Sequence, residues 1–534
     1  MASLLCNVLE NNILVLQITR GAKCKGMAQC KTSNSMVKYS EYTDYPYIRD
    51  EVTSSVAEIL AEQTAARNHK EEEFKNNAEY RNDLIEKSRI KFITGGYKVK
   101  TTLDKKLYDT LQETKKQFTS YPTYSQGGGV YPLEIGASVI ENSTGKVLAF
   151  IGGMDYKKQQ LNHATRTRRS PGSTIKPLLV YGPAIDKGYI TPNSTVLDKR
   201  FNHYGWNPEN YDMSQRGYLP AREALARSLN LPTVRLYSAF YKEDPVTNYL
   251  EKMGAEGLTE SDKTNLATAI GGMTYGLSVT ENTSAFSTFA NKGEHKKAHI
   301  IEEIENNDGE LVYRADFSPV KVFEESTSYL IVNMLGDVIN KSYGTSHDMP
   351  SKLKFNSKNL FVKTGTSEYY KDLWVVGGST KITVGLWNGY DSPAKVPSYD
   401  YAQRSWIAVM NAIYALDKNL IAPDTAFSRP KSVVDASING YNNAKGGTKD
   451  IVLNGFKELS KEKTLAKFGY NIDKGISFSD PSKVVVTKPV QKEEKKEDKD
   501  KKDKKDKKEE REERTVTITE TSPPPTVITE EDDE

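Results

Sequence analysis

FVKTGTSEYYKDLWVVGGSTKITVGLW, residues 361–387, reads as an antiparallel meander. Phe361 and Val362 lead into Lys363, Leu373-Trp-Val-Val376 is a second apolar run, and Ile382-Thr-Val-Gly-Leu-Trp387 is a third. Short β-prone runs broken by Gly377-Gly-Ser-Thr380 are the pattern of paired strands and a polar turn. The same pattern occurs far upstream, in Gly136-Ala-Ser-Val-Ile140 and Val147-Leu-Ala-Phe-Ile151, joined by the turn Asn142-Ser-Thr-Gly145. Between the two regions, Ser173 to about Gly293 is mainly helical in pattern, most clearly at Glu223–Leu229 and Ser284–Asn291. A sheet whose first and last parts flank a helical block predicts an α+β fold: an antiparallel sheet flanked by helices, plus a helical subdomain. Ser405–Leu416 adds a buried amphipathic helix.

The 534 residues suggest more than one domain. Residues 1–31 are an atypical leader holding every cysteine (Cys6, Cys24 and Cys30), so the remainder offers no disulfide framework and no zinc-finger spacing. Residues 32–94 read as a helical connector ended by Gly95-Gly96. Tyr97–Thr102 then alternates as a strand and Asp104 caps a helix. Residues 95–435 form the main domain, with a flexible break at Gln126-Gly-Gly-Gly129. Residues 436–490 are a small extension with no assigned role. Residues 491–534 are a charged tail expected to be disordered, because it buries too little apolar area to offset the entropy of ordering. Lys plus Arg number 74 against 71 Asp plus Glu, a net charge of +3 that gives no reason to expect nucleic acid as a partner. Leu4–Ile18 is interrupted by Glu10-Asn-Asn12 and is too short to span a bilayer; it also lacks the basic start and cleavage site of a signal peptide. No membrane anchor is therefore expected from the residues themselves.

Three short strings carry chemistry: Ser173-Thr-Ile-Lys176, Ser228-Leu-Asn230 and Lys363-Thr-Gly-Thr366. Ser-x-x-Lys also occurs elsewhere, for example at Ser35/Lys38, Ser88/Lys91, Ser143/Lys146, Ser351/Lys354 and Ser460/Lys463, and Ser-x-Asn twice more, so context and order decide. Ser173 follows the turn Ser170-Pro-Gly172 and precedes the apolar run Leu178–Tyr181. A helix starting there puts Ser173 and Lys176 on one face and leaves the Ser173 amide free for an oxyanion. Pro177 requires the helix to begin close by, and it makes an irregular Lys176 backbone the expectation. A serine needs a base, and lysine serves only when neutral; burial and a second cation, for which Lys363 is the candidate, would lower its pKa. Ser228 suits relay of a proton to a leaving amine, and Asn230 suits holding a substrate amide; a plain helix C-cap is the alternative reading. On the Lys363 strand, Gly365 lets an extended peptide approach the edge, and the Thr364 and Thr366 hydroxyls suit a terminal carboxylate. The Thr366 amide would be the second oxyanion donor.

Two decoys stand beside these strings. His295 and His299 are four apart, but on an extended segment that spacing separates the rings by roughly 13 Å, too far for one metal ion. Tyr204, Trp206 and Tyr211 suit stacking on a ligand and equally suit packing a loop.

With Gly95–Asp104, Asn162-His-Ala-Thr165, Trp206–Tyr211, Leu225–Pro232, Ala285–Asn291, Asp372-Leu-Trp374 and Val384–Asp391, these strings resemble the transpeptidase domain of a class A penicillin-binding protein of Gram-positive type. The resemblance covers about residues 95–430 and implies the fold shared by these enzymes and the serine β-lactamases. It implies Ser173 as acylated nucleophile, Lys176 as base, Ser228 and Lys363 as proton relays, and Asn230, Thr364, Gly365 and Thr366 as substrate-binding residues. The amides of Ser173 and Thr366 would form the oxyanion hole. The implied partners are peptidoglycan stem peptides, as D-Ala-D-Ala donor and amine acceptor, together with β-lactams and the cell-wall synthesis machinery. No cofactor and no metal are implied. The implied location is the extracytoplasmic face of the bacterial plasma membrane. Class A members carry a membrane helix and a glycosyltransferase domain ahead of this region; neither is expected here, and glycan polymerisation is not expected. A D,D-carboxypeptidase shares all three strings, and a non-catalytic wall-binding scaffold is the rival from outside enzymology. A β-lactamase would need a carboxylate to activate water, for which Glu302 and Asn306 offer a loose match in a hairpin.

Overall fold

The computed structural model describes residues 3–8, 13–19, 45–126, 129–316, 318–438 and 448–456. Cys24, Cys30, the centre of the expected break at 127–128, most of the 436–490 extension and all of the 491–534 tail lie outside the described residues.

Phe361–Thr366, Asp372–Gly378 and Ile382–Gly389 pair antiparallel in that order, with Lys363 opposite Val376. Ile382–Gly389 then pairs with Glu134–Glu141, which pairs with Val147–Ile151. The two ends of the sequence motif thus close into one five-stranded sheet, with Phe361–Thr366 on its edge. Its inner strands are apolar on both faces because both are covered. Val362, Val375, Val384 and Leu386 pack into a core shared with helices Pro46–Arg67, Lys105–Lys115 and Tyr401–Leu416. Phe361 and Val376 enter a second core built from the middle of the chain. There the helix Val279–Ala290 starts on a capping box between Ser278 and Glu281 and lies against the sheet.

The structure departs from expectation at three places. The predicted helix Glu223–Leu229 ends sooner: Ala221–Ala226 stops, the chain reverses at Ser228, and Asn230–Ser238 begins a new helix. The leader, read only as atypical, supplies strands Ser3–Val8 and Ile13–Thr19, and the latter pairs with Lys98–Asp104. Leu14 is buried there and its carbonyl accepts the Thr101 hydroxyl at 2.7 Å. Finally, Val433–Ile438 and Thr448–Leu453 form a hairpin that straddles residue 435, the expected end of the domain. Its Asp450 receives the Arg222 guanidinium at 2.6 Å.

Candidate active site

Ser173 is half-exposed in a tight 3-10 turn, Gly172–Thr174, that opens a helical stretch running to Asp186. Lys176 follows with ordinary helical angles, φ −56° and ψ −49°. The irregularity expected at Lys176 falls after the proline instead: Pro177–Tyr181 is a π turn whose closing bond runs from the Gly182 N–H to the Pro177 carbonyl. Such wide turns occur mostly as single insertions inside α-helices, frequently at functional sites.

The Lys176 side chain is fully buried. Its Nζ donates to the Ser228 carbonyl at 2.6 Å and to Asn230 Oδ1 at 2.7 Å, and lies 3.5 Å from Ser228 Oγ. Lys363, also fully buried, donates to Ser228 Oγ at 2.9 Å and to the Thr364 carbonyl at 2.8 Å. Residues from all three strings therefore converge on one hydroxyl. Burial pushes the Lys363 amine down to about 7. Burial, and then the facing Lys363 charge, hold Lys176 well below the ordinary lysine range. Among the described residues the Ser173 hydroxyl makes no hydrogen bond to Lys176, whose donors go to Ser228 and Asn230. The contact expected from the Ser173–Lys176 spacing is therefore not made in this structure.

Ser228 is placed by the helix end. Its φ of 58° is left-handed, the Leu229 N–H bonds the Ala224 carbonyl, and the Ser228 N–H bonds the Leu225 carbonyl. These are the two bonds of a Schellman cap, with serine where glycine is usual. The C-cap and proton-relay readings are thus compatible. Asn230 does more than face the cleft: Oδ1 accepts from Lys176 and Nδ2 donates to the Glu209 carbonyl at 2.7 Å. Asn210 Oδ1 then takes the Asn230 and Leu231 amides. Asn210 escaped the sequence reading because its partner lies twenty residues on.

On the strand, the Thr364 hydroxyl bonds that of Thr345 at 2.7 Å, and the Thr366 side chain is exposed. Nothing about Tyr343-Gly-Thr-Ser346 signalled a site in the sequence. Gly365 plays a different part from the expected one. A Cβ there would lie 2.6 Å from the Pro171 carbonyl and 2.8 Å from Thr174 Cγ2. The close approach is therefore made by the serine's own turn. Gly172, at φ +51°, completes it, since its Cβ would lie 2.8 Å from the Thr366 nitrogen. The two absent side chains bring the segment bearing Ser173 against the strand bearing Thr366.

The decoys resolve elsewhere. His295 bonds Thr288 and His299 the Lys297 carbonyl. Glu302 lies on the other sheet, paired with Lys146 at 2.6 Å, and Asn306 turns onto Glu310. Trp206 packs edge-on to Phe201, whereas Tyr204 and Tyr211 are exposed.

A sheet-edge strand, a helix-borne serine and a buried lysine pair thus meet around the Ser228 hydroxyl. Residues 135–397 match the family described as penicillin binding protein transpeptidase domain, and the chain carries a domain of that family. It is 30% identical over 362 residues to penicillin-binding protein 4 of Bacillus subtilis (strain 168), covering 67% of this chain and 54% of that protein. It is 34% identical over 299 residues to penicillin-binding protein 1F of the same organism, covering 56% and 40%. The chain thus spans about half the length of the curated relatives it matches. The crystal structure of penicillin-binding protein 1A from Haemophilus influenzae shares the fold, with a TM-score of 0.57 at 18% identity over 72% of this chain and 76% of that one. Among the described residues no helix is long and apolar enough to cross a membrane.

Proposed function

We propose that the chain is a serine D,D-transpeptidase that cross-links peptidoglycan stem peptides at the outer face of the bacterial plasma membrane. Ser173 Oγ attacks the carbonyl carbon of a D-Ala-D-Ala bond and gives its proton to neutral Lys176. The Ser173 and Thr366 amides hold the oxyanion, while Thr364 and Thr366 hold the terminal carboxylate. Collapse breaks the C–N bond, and the departing D-alanine takes a proton through Ser228, resupplied by the lysine pair. An amine of a neighbouring stem peptide then attacks the Ser173 ester, forming the cross-link and freeing the serine. Penicillin, as a mimic of the donor terminus, stops at the ester.

The observation that carries this reading is the Ser228 hydroxyl held between the Lys176 and Lys363 amines, 3.5 and 2.9 Å away. Intact-mass spectrometry after penicillin should show one stable adduct, mapped to the peptide containing Ser173 and absent from Ser173→Ala. Folded protein that takes no adduct would refute the proposal, and rapid turnover of a chromogenic cephalosporin would mark a lactamase instead.

A further inference from the structure

Tyr343-Gly-Thr-Ser346 belongs to none of the three strings, yet it is bonded to the strand of one and to the helix ahead of another. The Thr345 N–H donates to the Ala226 carbonyl at 3.2 Å, at the end of the helix that turns into Ser228. The Thr345 carbonyl accepts from Gln403 Nε2 at 3.2 Å, on the helix Tyr401–Leu416. The Ser346 N–H donates to the Val338 carbonyl at 3.0 Å. Gly344 presses on the same helix, Glu325–Asn340, where a Cβ would lie 2.2 Å from the Val338 oxygen. Three helices thus fix the Thr345 backbone, and its hydroxyl meets a single atom, Thr364 Oγ1, at 2.7 Å.

Thr364 is held as firmly. It sits opposite Val375 in the sheet, and its carbonyl accepts from the buried Lys363 Nζ at 2.8 Å. Among the described residues its hydroxyl bonds only that of Thr345. Two hydroxyls in contact share one hydrogen and keep a second, and either can be the donor. Both side chains are half-buried on an edge strand and its flank, so the second hydrogen is open to a ligand. An anion beside Thr364 settles the direction. Thr364 then turns its hydrogen outward and Thr345 donates into the oxygen behind it. In such a chain each link polarises the next, and the outermost O–H becomes the better donor.

We propose that Thr345 is a positioning residue for the carboxylate that Thr364 receives: it fixes the direction of the Thr364 O–H and strengthens it as a donor. Thr345 touches no reacting atom and acts on acylation through Thr364 alone. The inference rests on the transpeptidase reading and adds to its carboxylate subsite a residue outside the three strings. A threonine that only filled space would be replaced by valine, which has nearly its shape, with no regard to the charge of the ligand. A threonine that orients a donor would be missed only by ligands carrying the anion.

The test measures acylation rates of the full chain with benzylpenicillin and with its methyl ester, which keeps the reactive ring and loses the anion. Thr345→Val should slow acylation by the free acid about five- to tenfold and acylation by the ester by less than about twofold. Thr345→Ser restores the hydroxyl and should restore the acid rate. Thr364→Val should slow the acid at least as much as Thr345→Val does, and adding Thr345→Val to it should slow it no further. Thr345→Ala should behave as Thr345→Val and takes its place if the valine protein fails to fold. An unchanged acid rate, an equal loss with acid and ester, or losses that multiply in the double variant would overturn the inference while leaving the Ser173 adduct standing. A folded wild type that takes no adduct from the acid would overturn the transpeptidase reading, and the inference would fall with it.

Discussion

A neutral amine has two N–H bonds and one lone pair. At Lys176 the Ser228 carbonyl and Asn230 Oδ1 occupy two N–H donors, and the hydroxyl nearest the remaining position is that of Ser228, 3.5 Å away. Two ammonium groups around one hydroxyl repel, so burial and charge together favour the form that can act as base. The same balance sets a pH dependence. A lysine lowered in the folded state binds fewer protons there than in the unfolded chain. Its stabilising contribution is complete above the unfolded pKa of about 10.4 and is lost as pH falls. For Lys363 that loss runs down to about 7. Urea midpoints measured from pH 9.5 to 7 should therefore fall, and Lys363→Met should flatten the slope by up to about 1.4 kcal/mol per pH unit. An unchanged slope would mean that Lys363 is not depressed. The Ser173–Lys176 spacing was legible because three residues span one helical turn. The meeting of Ser228 with Lys363 was not, since 135 residues separate them.

At the scale of elements, the helix end at Ser228 joins stability to chemistry. Its Schellman bonds demand a left-handed residue, and a serine there is strained by about 1 kcal/mol relative to glycine. Ser228→Ala and Ser228→Gly both lose the hydroxyl and should lose penicillin acylation. The glycine protein should be the more stable of the two by about 1 kcal/mol in urea denaturation. Equal stabilities would argue against the left-handed cap. The sequence pattern placed the helix through Leu229 because Arg222–Leu229 has helical composition, and only the reversal shows why Ser228 faces the cleft. The meander and the upstream hairpin were readable because strand pairing between neighbours is set by local turns and by apolar runs. The leader strands escaped notice, since their order depends on the edge offered by Lys98–Asp104.

Across the whole molecule, the last described hairpin is held to the helical subdomain by Val433, Ile451 and Leu453 packing into the second core and by one cation. Arg222 donates to Asp337 at 2.7 Å, Asn333 at 3.0 Å and Asp450 at 2.6 Å. Arg222→Ala would leave two carboxylates without their partner and should cost about 3 kcal/mol of unfolding free energy, with earlier proteolysis in 433–456 than in the wild type. A wild-type cleavage pattern would show that the hairpin is held by its apolar contacts alone. The residues by themselves determined the α+β class, the order of strands and helices, and which groups have the chemistry for acyl transfer, because periodicity and turn signals act over a few residues. Tertiary structure alone decided that Thr345 joins Thr364, that Gly365 admits the turn that carries Ser173, and that two lysines are buried against one serine. Those outcomes depend on desolvation and on contacts between distant segments, and both arise only when the sheet closes around the helical block.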